Sequence, residues 1–343
     1  MKKTITLLLL LAFVATSALA ITGCQSTATA PDPAGEDNPT GVDNPPAQEP
    51  LQVALLMSGP ISDQGWNAMA YQGLIAVQDD HGAEISFSEN VAQSDMEEVF
   101  RGYAQSGFDV VFGHGFEFQD AAIRVAEEYP DTIFILTSNT HYQDPNMGSV
   151  TDNGFEKGFL AGVVAAVISE SGTVGFIGGM EIPPIRAGMD GFEAGARYAN
   201  PDVHVLTTFI GNFEDAGAAK ELALAMIDSG ADVVMAQADS ASLGTIEAVT
   251  ERNIYGIGIN ADQSSLAPDN IVTSSLAGYN VAMSLVVGSI IDGSWTPSGQ
   301  VMGVAEGVNG LAAYHDKLTD AQISRIEEIR EDIASGRLNV RDL

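Results

Sequence analysis

The sequence predicts an α/β protein of two lobes, each a parallel sheet with helices on both faces. Three observations predict it. From Leu51 onward, short apolar runs alternate with helical patterns of about 10 to 15 residues, the pattern that right-handed βαβ units produce. Polar, glycine-rich segments follow the apolar runs, and the whole series restarts after residue 153. The chain beyond Leu51 is long enough for two domains of ordinary size.

The elements follow in order. Val53-Ala54-Leu55-Leu56-Met57 is an unbroken apolar run of strand length, so it reads as a strand buried on both faces. An amphipathic helix is expected over 66–82. Strands at 84–88 and 110–112 precede helices over 94–105 and 120–128, and a strand at 132–136 closes the first series. The second series opens with a helix over 159–168 and continues with strands at 174–177, 203–209, 233–236, 256–259 and 271–274. Helices over 186–198, 216–229 and 243–252 separate them, and two more are expected over 279–291 and 320–335. The first lobe is expected to span 51–153, completed by about 275–300, and the second 154–274, completed by about 301–343.

Ahead of the first strand, residues 1–23 form a secretion signal. Lys2 and Lys3 give a positive start, and the apolar stretch over 4–20 is shorter than the roughly 20 residues that span a bilayer. The signal ends in Ile21-Thr22-Gly23-Cys24, which resembles the bacterial lipobox, whose cysteine carries the lipid of a membrane-tethered lipoprotein. Cys24 is the only cysteine; an exported chain with one cysteine cannot close an internal disulfide, and lipidation gives that thiol a purpose. The alternative is a plain secretory signal cut after Ser17-Ala18-Leu19-Ala20. Residues 24–50 are rich in Pro, Ser, Thr, Gly and Asp, cannot offset their ordering entropy by burial, and read as a flexible tether.

Forty-six Asp and Glu against 14 Lys and Arg give a formal charge of -32. Such a surface repels nucleic acid and anionic lipid, which argues against DNA or RNA as a partner. The acids are spread along the whole chain, so they read as a solvated coat suited to a saline habitat.

In open parallel sheets, ligands sit outside the carboxyl ends of the strands. Segments 58–66, 113–120, 137–139, 178–186, 211–215, 237–242 and 260–263 fall at those ends and line one cleft if the lobes face each other. That geometry is a hinged binding protein.

Within these segments, Gly113-His114-Gly115-Phe116-Glu117-Phe118 begins like a dinucleotide fingerprint but has Phe118 in place of the third glycine. The glycines instead read as a tight turn at a cleft edge. None of His81, His114, His141, His204 and His315 has a close His or Cys neighbour of the metal-binding kind, and only His114 sits at a strand end. No Gly-x-Ser-x-Gly elbow, Walker loop or His-Glu-x-x-His occurs, and nothing singles out a carboxylate pair for hydrolysis. No cofactor, metal or catalytic residue is therefore expected. Trp66, in the first turn of its helix, is expected to point into the cleft, with Phe213 at the matching edge of the second lobe; two aromatics, one per lobe, would sandwich a flat ligand. A core tryptophan is the plainer alternative.

At these residues the chain resembles the BMP (basic membrane protein) family, the substrate-binding lipoproteins of ABC importers whose best-known members bind purine nucleosides. The motifs are Ser62-Asp63-Gln64-Gly65-Trp66-Asn67 with Ala70-Tyr71-Gln72-Gly73, Gly115-Phe116 with Asp120-Ala121, and Glu156-Lys157-Gly158-Phe159-Leu160-Ala161-Gly162. Val174-Gly175-Phe176-Ile177-Gly178-Gly179-Met180, Gly191-Phe192-Glu193-Ala194-Gly195, Gly230-Ala231-Asp232-Val233-Val234 and Asp262-Gln263 complete them. The resemblance implies a type I periplasmic binding protein, two Rossmann-like lobes joined by a three-crossover hinge. It implies a base stacked between Trp66 and Phe213, with Asp120 and Asn67 bonding its edge. Asp63, His114, Phe116, Asn139, Asp239, Asn260 and Asp262 complete the expected ligand-binding set, with Cys24 for lipidation.

The sequence departs from the family in the sugar half. Asn260 stands where the family has an aspartate for ribose hydroxyls. Thr273-Ser274-Ser275-Leu276-Ala277 lacks the usual lysine, and Gln237-Ala238-Asp239-Ser240-Ala241 replaces a glycine-rich segment and adds a carboxylate. The expected partners are a purine nucleoside or base, an ABC permease and a membrane reached by a lipid anchor, with the protein a monomer on the extracytoplasmic face. A sensor for a membrane signalling protein, a receptor for riboflavin or a sugar, and an exported nucleoside hydrolase are the alternatives.

Overall fold

Two six-stranded sheets share the chain between them. The computed structural model describes residues 49–63 and 65–343, so Cys24, the leader, nearly all of the tether and Gln64 lie outside the described residues. In chain order the first elements are β1 (Gln52–Met57), α1 (Trp66–His81), β2 (Glu84–Ser88), α2 (Met96–Gln105), β3 (Val110–His114), α3 (Gln119–Glu128), β4 (Ile133–Thr137) and β5 (Met147–Asp152). There follow α4 (Gly154–Ile168), β6 (Thr173–Gly178), α5 (Pro183–Ala199), β7 (His204–Phe209), α6 (Ala216–Asp228), β8 (Val233–Gln237), α7 (Ser242–Arg252), β9 (Tyr255–Asn260) and β10 (Ile271–Ala277). The chain ends with α8 (Tyr279–Ile291), β11 (Gly299–Met302), β12 (Asn309–Leu311) and α9 (Asp320–Ala334).

The first sheet runs β11-β5-β4-β3-β1-β2 and is parallel throughout. The second runs β12-β10-β9-β8-β6-β7 and is parallel except for β12, which pairs antiparallel to β10. Each expected helix and strand has its counterpart. Three strands were not expected: β5, and the short edge strands β11 and β12. Central strands are apolar on both faces because helices cover both: Val53 to Met57 are wholly buried, as are Val110 to Phe112.

The chain passes between the sheets three times, after β5, after β10 and after β11. A buried ion pair braces the first passage: Lys157 Nζ, on α4, lies 2.6 Å from Asp152 Oδ2, at the end of β5. Neither side chain is more than a tenth exposed. The Ser275 hydroxyl, on β10, donates to the Lys157 carbonyl (3.0 Å). Glu156 accepts the N–H of Val304, just beyond β11 (2.8 Å), so the three passages are bonded to one another.

The helices α4 and α5 pack along a seam of small residues. A Cβ added at Gly158 would run into the Gly188 carbonyl, one at Gly162 into the Phe192 carbonyl, and one at Gly191 or Gly195 into the carbonyls of Phe155 or Phe159. The two backbones approach so closely that no side chain fits between them.

Candidate functional site

The site begins at the start of α1. An α-helix leaves its first N–H groups without internal partners, and here a carboxylate two residues before Gly65 supplies most of them. Asp63 Oδ1 accepts from the N–H groups of Gly65 and Ala68 (both 2.9 Å), and Oδ2 from the N–H and side-chain amide of Asn67 (both 2.8 Å). Burial pushes the Asp63 carboxyl up, but these donors together outweigh it and hold it below its ordinary value. Asn67, buried, also accepts from Gly59 N–H (3.2 Å). Asp63 and Asn67 thus fix the turn that presents Trp66.

Trp66 itself is half-buried. One indole face lies on the imidazole of His114, centroids 4.0 Å apart and planes 29° apart, and Tyr279 meets it edge-on at 5.7 Å. His114 and Tyr279 are wholly buried. The imidazole Nε2 lies 3.0 Å from the Trp66 carbonyl and Nδ1 2.7 Å from the Thr137 hydroxyl. Burial drives the His114 pKa down to about 3, against the Trp66 carbonyl and the Asp63 charge, which favour the cation. The ring is neutral at pH 7, and the one arrangement that satisfies both partners has Nε2–H donating to Trp66 and Nδ1 accepting from Thr137. His114 supports Trp66 from beneath and does not line the cleft.

Asp239 comes from the other sheet. It follows β8 with a left-handed backbone (φ 47°), a strained conformation for an L residue. Its carboxylate sits against the turn before α1: a Cβ on Gly65 would lie 2.9 Å from Asp239 Oδ1. Burial, the charge of Asp63 and more weakly that of Glu214 lift this carboxyl, the nearby Trp66 backbone N–H opposes them, and the balance stands at about 6. Asp63, Trp66, Asn67, His114 and Asp239 therefore form one cluster in which the two sheets meet.

Of the other expected residues, Phe213 adjoins the cluster through the loop that carries Asp239. Phe213 packs across Gly179, and its carbonyl accepts from the Ser240 hydroxyl (3.1 Å) and the Ala241 N–H (3.0 Å), which ties the β7 and β8 loops together. Phe116 is 57% exposed and Asp120 is exposed at the start of α3. Asn139 donates to Gln119 Oε1 (2.9 Å). Asn260 is partly buried with φ 66°, and Asp262 lies 3.2 Å from His315 Nε2 while accepting from Ser264 N–H (3.0 Å). No cluster of His, Cys, Asp and Glu suited to a metal occurs among the described residues. A separate hollow of about 530 Å³ opens at the starts of α4 and α5, where Arg341 lies 5.0 Å over the Phe155 ring.

Sequence reasoning missed Tyr279 and Thr137, which hold Trp66 and His114 in place. The signal for Thr137 is register: it pairs with His114 across β3 and β4, so both side chains leave the same face. Tyr279 carries no signal beyond its place at the start of an apolar helix.

The comparisons agree on the family. The Bmp family model, described as ABC transporter substrate-binding protein PnrA-like, matches residues 51–343. Basic membrane protein A of Borreliella burgdorferi is 30% identical over 76% of this chain and 78% of its own. A protein of Haloferax volcanii named a putative ABC transporter glucose-binding protein is 28% identical, covering 89% of this chain and 78% of its own. A purine-binding protein of Brucella abortus is 29% identical over 85% and 83%. Among solved structures, an ABC transporter solute-binding protein of Conexibacter woesei superposes with a TM-score of 0.73 at 26% identity, over 84% of this chain and 98% of its own. The fold is that of type I periplasmic solute-binding proteins.

Proposed function

We propose that this chain, which belongs to the Bmp family of PnrA-like ABC transporter substrate-binding proteins, captures a purine nucleoside or base between its two lobes and delivers it to a permease. The observation that carries the proposal is the cluster around Trp66. A rigid indole, held from behind by His114 and Tyr279, sits where the carboxyl ends of both sheets converge. An aromatic face so placed adds about 0.5 to 1.5 kcal/mol to a stacked planar ring beyond simple burial.

Charge narrows the ligand further. The cleft loops carry Asp63, Glu117, Asp120, Glu214, Asp239 and Asp262 among their acids, and Arg186 is their one lysine or arginine. Arg186 is already 3.1 Å from Glu181. Such loops favour a neutral or cationic ligand and oppose a phosphorylated one. The Brucella relative's name supports a purine. The Haloferax relative's name supports a second reading, a neutral sugar stacked on the same indole.

The remaining parts of the proposal follow the sequence. Cys24 carries the lipid that anchors the chain on the extracytoplasmic face, the three passages between the sheets act as a hinge, and the protein catalyses no reaction. Calorimetric titration of residues 49–343, unfolded and refolded to strip carried ligand, against guanosine, inosine, adenosine, adenine, riboflavin and glucose tests the ligand. Tight one-to-one binding of a nucleoside supports the proposal, binding of glucose alone replaces it with the second reading, and silence across the panel removes both.

A further inference from the structure

The first turn of α1 allows a full count of its donors. Four N–H groups at a helix start lack partners within the helix; here they belong to Gly65, Trp66, Asn67 and Ala68, since Met69 N–H already bonds to the Gly65 carbonyl (3.0 Å). Asp63 takes three of the four, those of Gly65, Asn67 and Ala68. The one it leaves is Trp66, the residue whose ring defines the site. On the far side of that turn, Asp239 Oδ1 would lie 2.9 Å from a Cβ at Gly65, so only a glycine there lets the carboxylate come so near.

We propose that Asp239 is a closure contact: carried by the second lobe, its carboxylate takes the Trp66 N–H, so the first turn of α1 is complete only when the lobes meet. It is a positioning residue, acting on the ligand through the placement of Trp66. The proposal rests on reading this cleft as the ligand site. Two acids face Asp239, Asp63 from the α1 turn and Glu214 from the β7 loop. Both oppose its negative charge.

Amide hydrogen exchange on the ligand-free full-length chain, read at single residues, tests this without a ligand. The Trp66 amide is expected to exchange at least tenfold faster in Asp239→Ala than in the unaltered chain, while Asn67 and Ala68, held by Asp63, keep their rates. Asp239→Asn, which retains an acceptor oxygen, is expected to keep Trp66 protected. Equal Trp66 rates in the alanine variant and the unaltered chain would overturn the proposal, as would a joint loss at Trp66, Asn67 and Ala68, which would make Asp239 a prop for the helix. An asparagine variant that behaves like the alanine one would overturn it too. Failure of the ligand titration leaves this result standing, and failure here leaves the titration standing.

Discussion

The imidazole of His114 lies flat beneath the indole of Trp66, ring centroids 4.0 Å apart, and bonds through Nε2 to the carbonyl of the same tryptophan. One residue thus holds the other by face and by backbone together. This leaves the ligand only the far face of the indole, and removing the ring removes what the base would stack upon. Trp66→Ala is expected to weaken binding of whichever panel ligand the chain takes by at least tenfold, and Trp66→Phe by less. Titration calorimetry measures both, and an unchanged affinity in the alanine variant would end the stacking role.

His114 makes the fold sensitive to acid. Its pKa falls from 6.5 in the unfolded chain to about 3 when buried. The unfolded state therefore binds a proton that the folded state refuses between those values. The stability from a neutral His114 is fully present above pH 6.5 and is lost as pH falls toward 3, at about 1.4 kcal/mol per pH unit. Urea unfolding at pH 7, 6 and 5 should show this slope in the unaltered chain and lack it in His114→Gln. Parallel curves would mean that the imidazole is not held neutral.

Lys157 and Asp152 face each other across the first passage between the sheets, nearly out of contact with water. A buried charge left without its partner costs about 3–5 kcal/mol. Lys157→Met should lose about that much in urea unfolding, and the double variant Asp152→Asn, Lys157→Met should recover a good part. Equal losses in the single and double variants would show that the pair is not coupled.

The seam between α4 and α5 reverses an ordinary rule. Replacing glycine by alanine inside an exposed helix usually gains about 1 kcal/mol. Gly102→Ala on α2, where an added Cβ meets nothing within 4 Å, should gain that much. Gly158→Ala must push the Gly188 backbone aside and should lose about 3 kcal/mol or fail to fold. Thermal melts of the two variants side by side decide it, and a stable Gly158→Ala would mean the helices can part at no cost.

The fold was legible wherever a strand is central or a helix amphipathic, because burial on both faces writes an unbroken apolar run such as 53–57. It was not legible at β5, β11 and β12. β5 mixes Gly148, Ser149 and Thr151 with its apolar residues, and β11 and β12 are four and three residues long, with partners far away in sequence. At the site, Trp66 could be picked out from its neighbours, since an aromatic after a polar, glycine-containing turn stands out. The roles of Asp63 and His114 could not, because a carboxylate that holds a helix start and one that holds a ligand have the same letters. Whether a histidine at a strand end faces a cleft or a core depends on the two residues that close over it, here Thr137 from the next strand and Tyr279 from the far end of the chain.

The glycine seam has a mechanical meaning. Where backbones touch, no side chain can change rotamer to absorb a push, so α4 and α5, about 22 Å long in the case of α4, move as one stiff beam. That beam starts two residues after the end of β5, within the first passage between the sheets and beside the Lys157 ion pair. Under the hinge proposed above, such a beam would carry a displacement at its far end to the passages between the sheets with little loss to side-chain rearrangement.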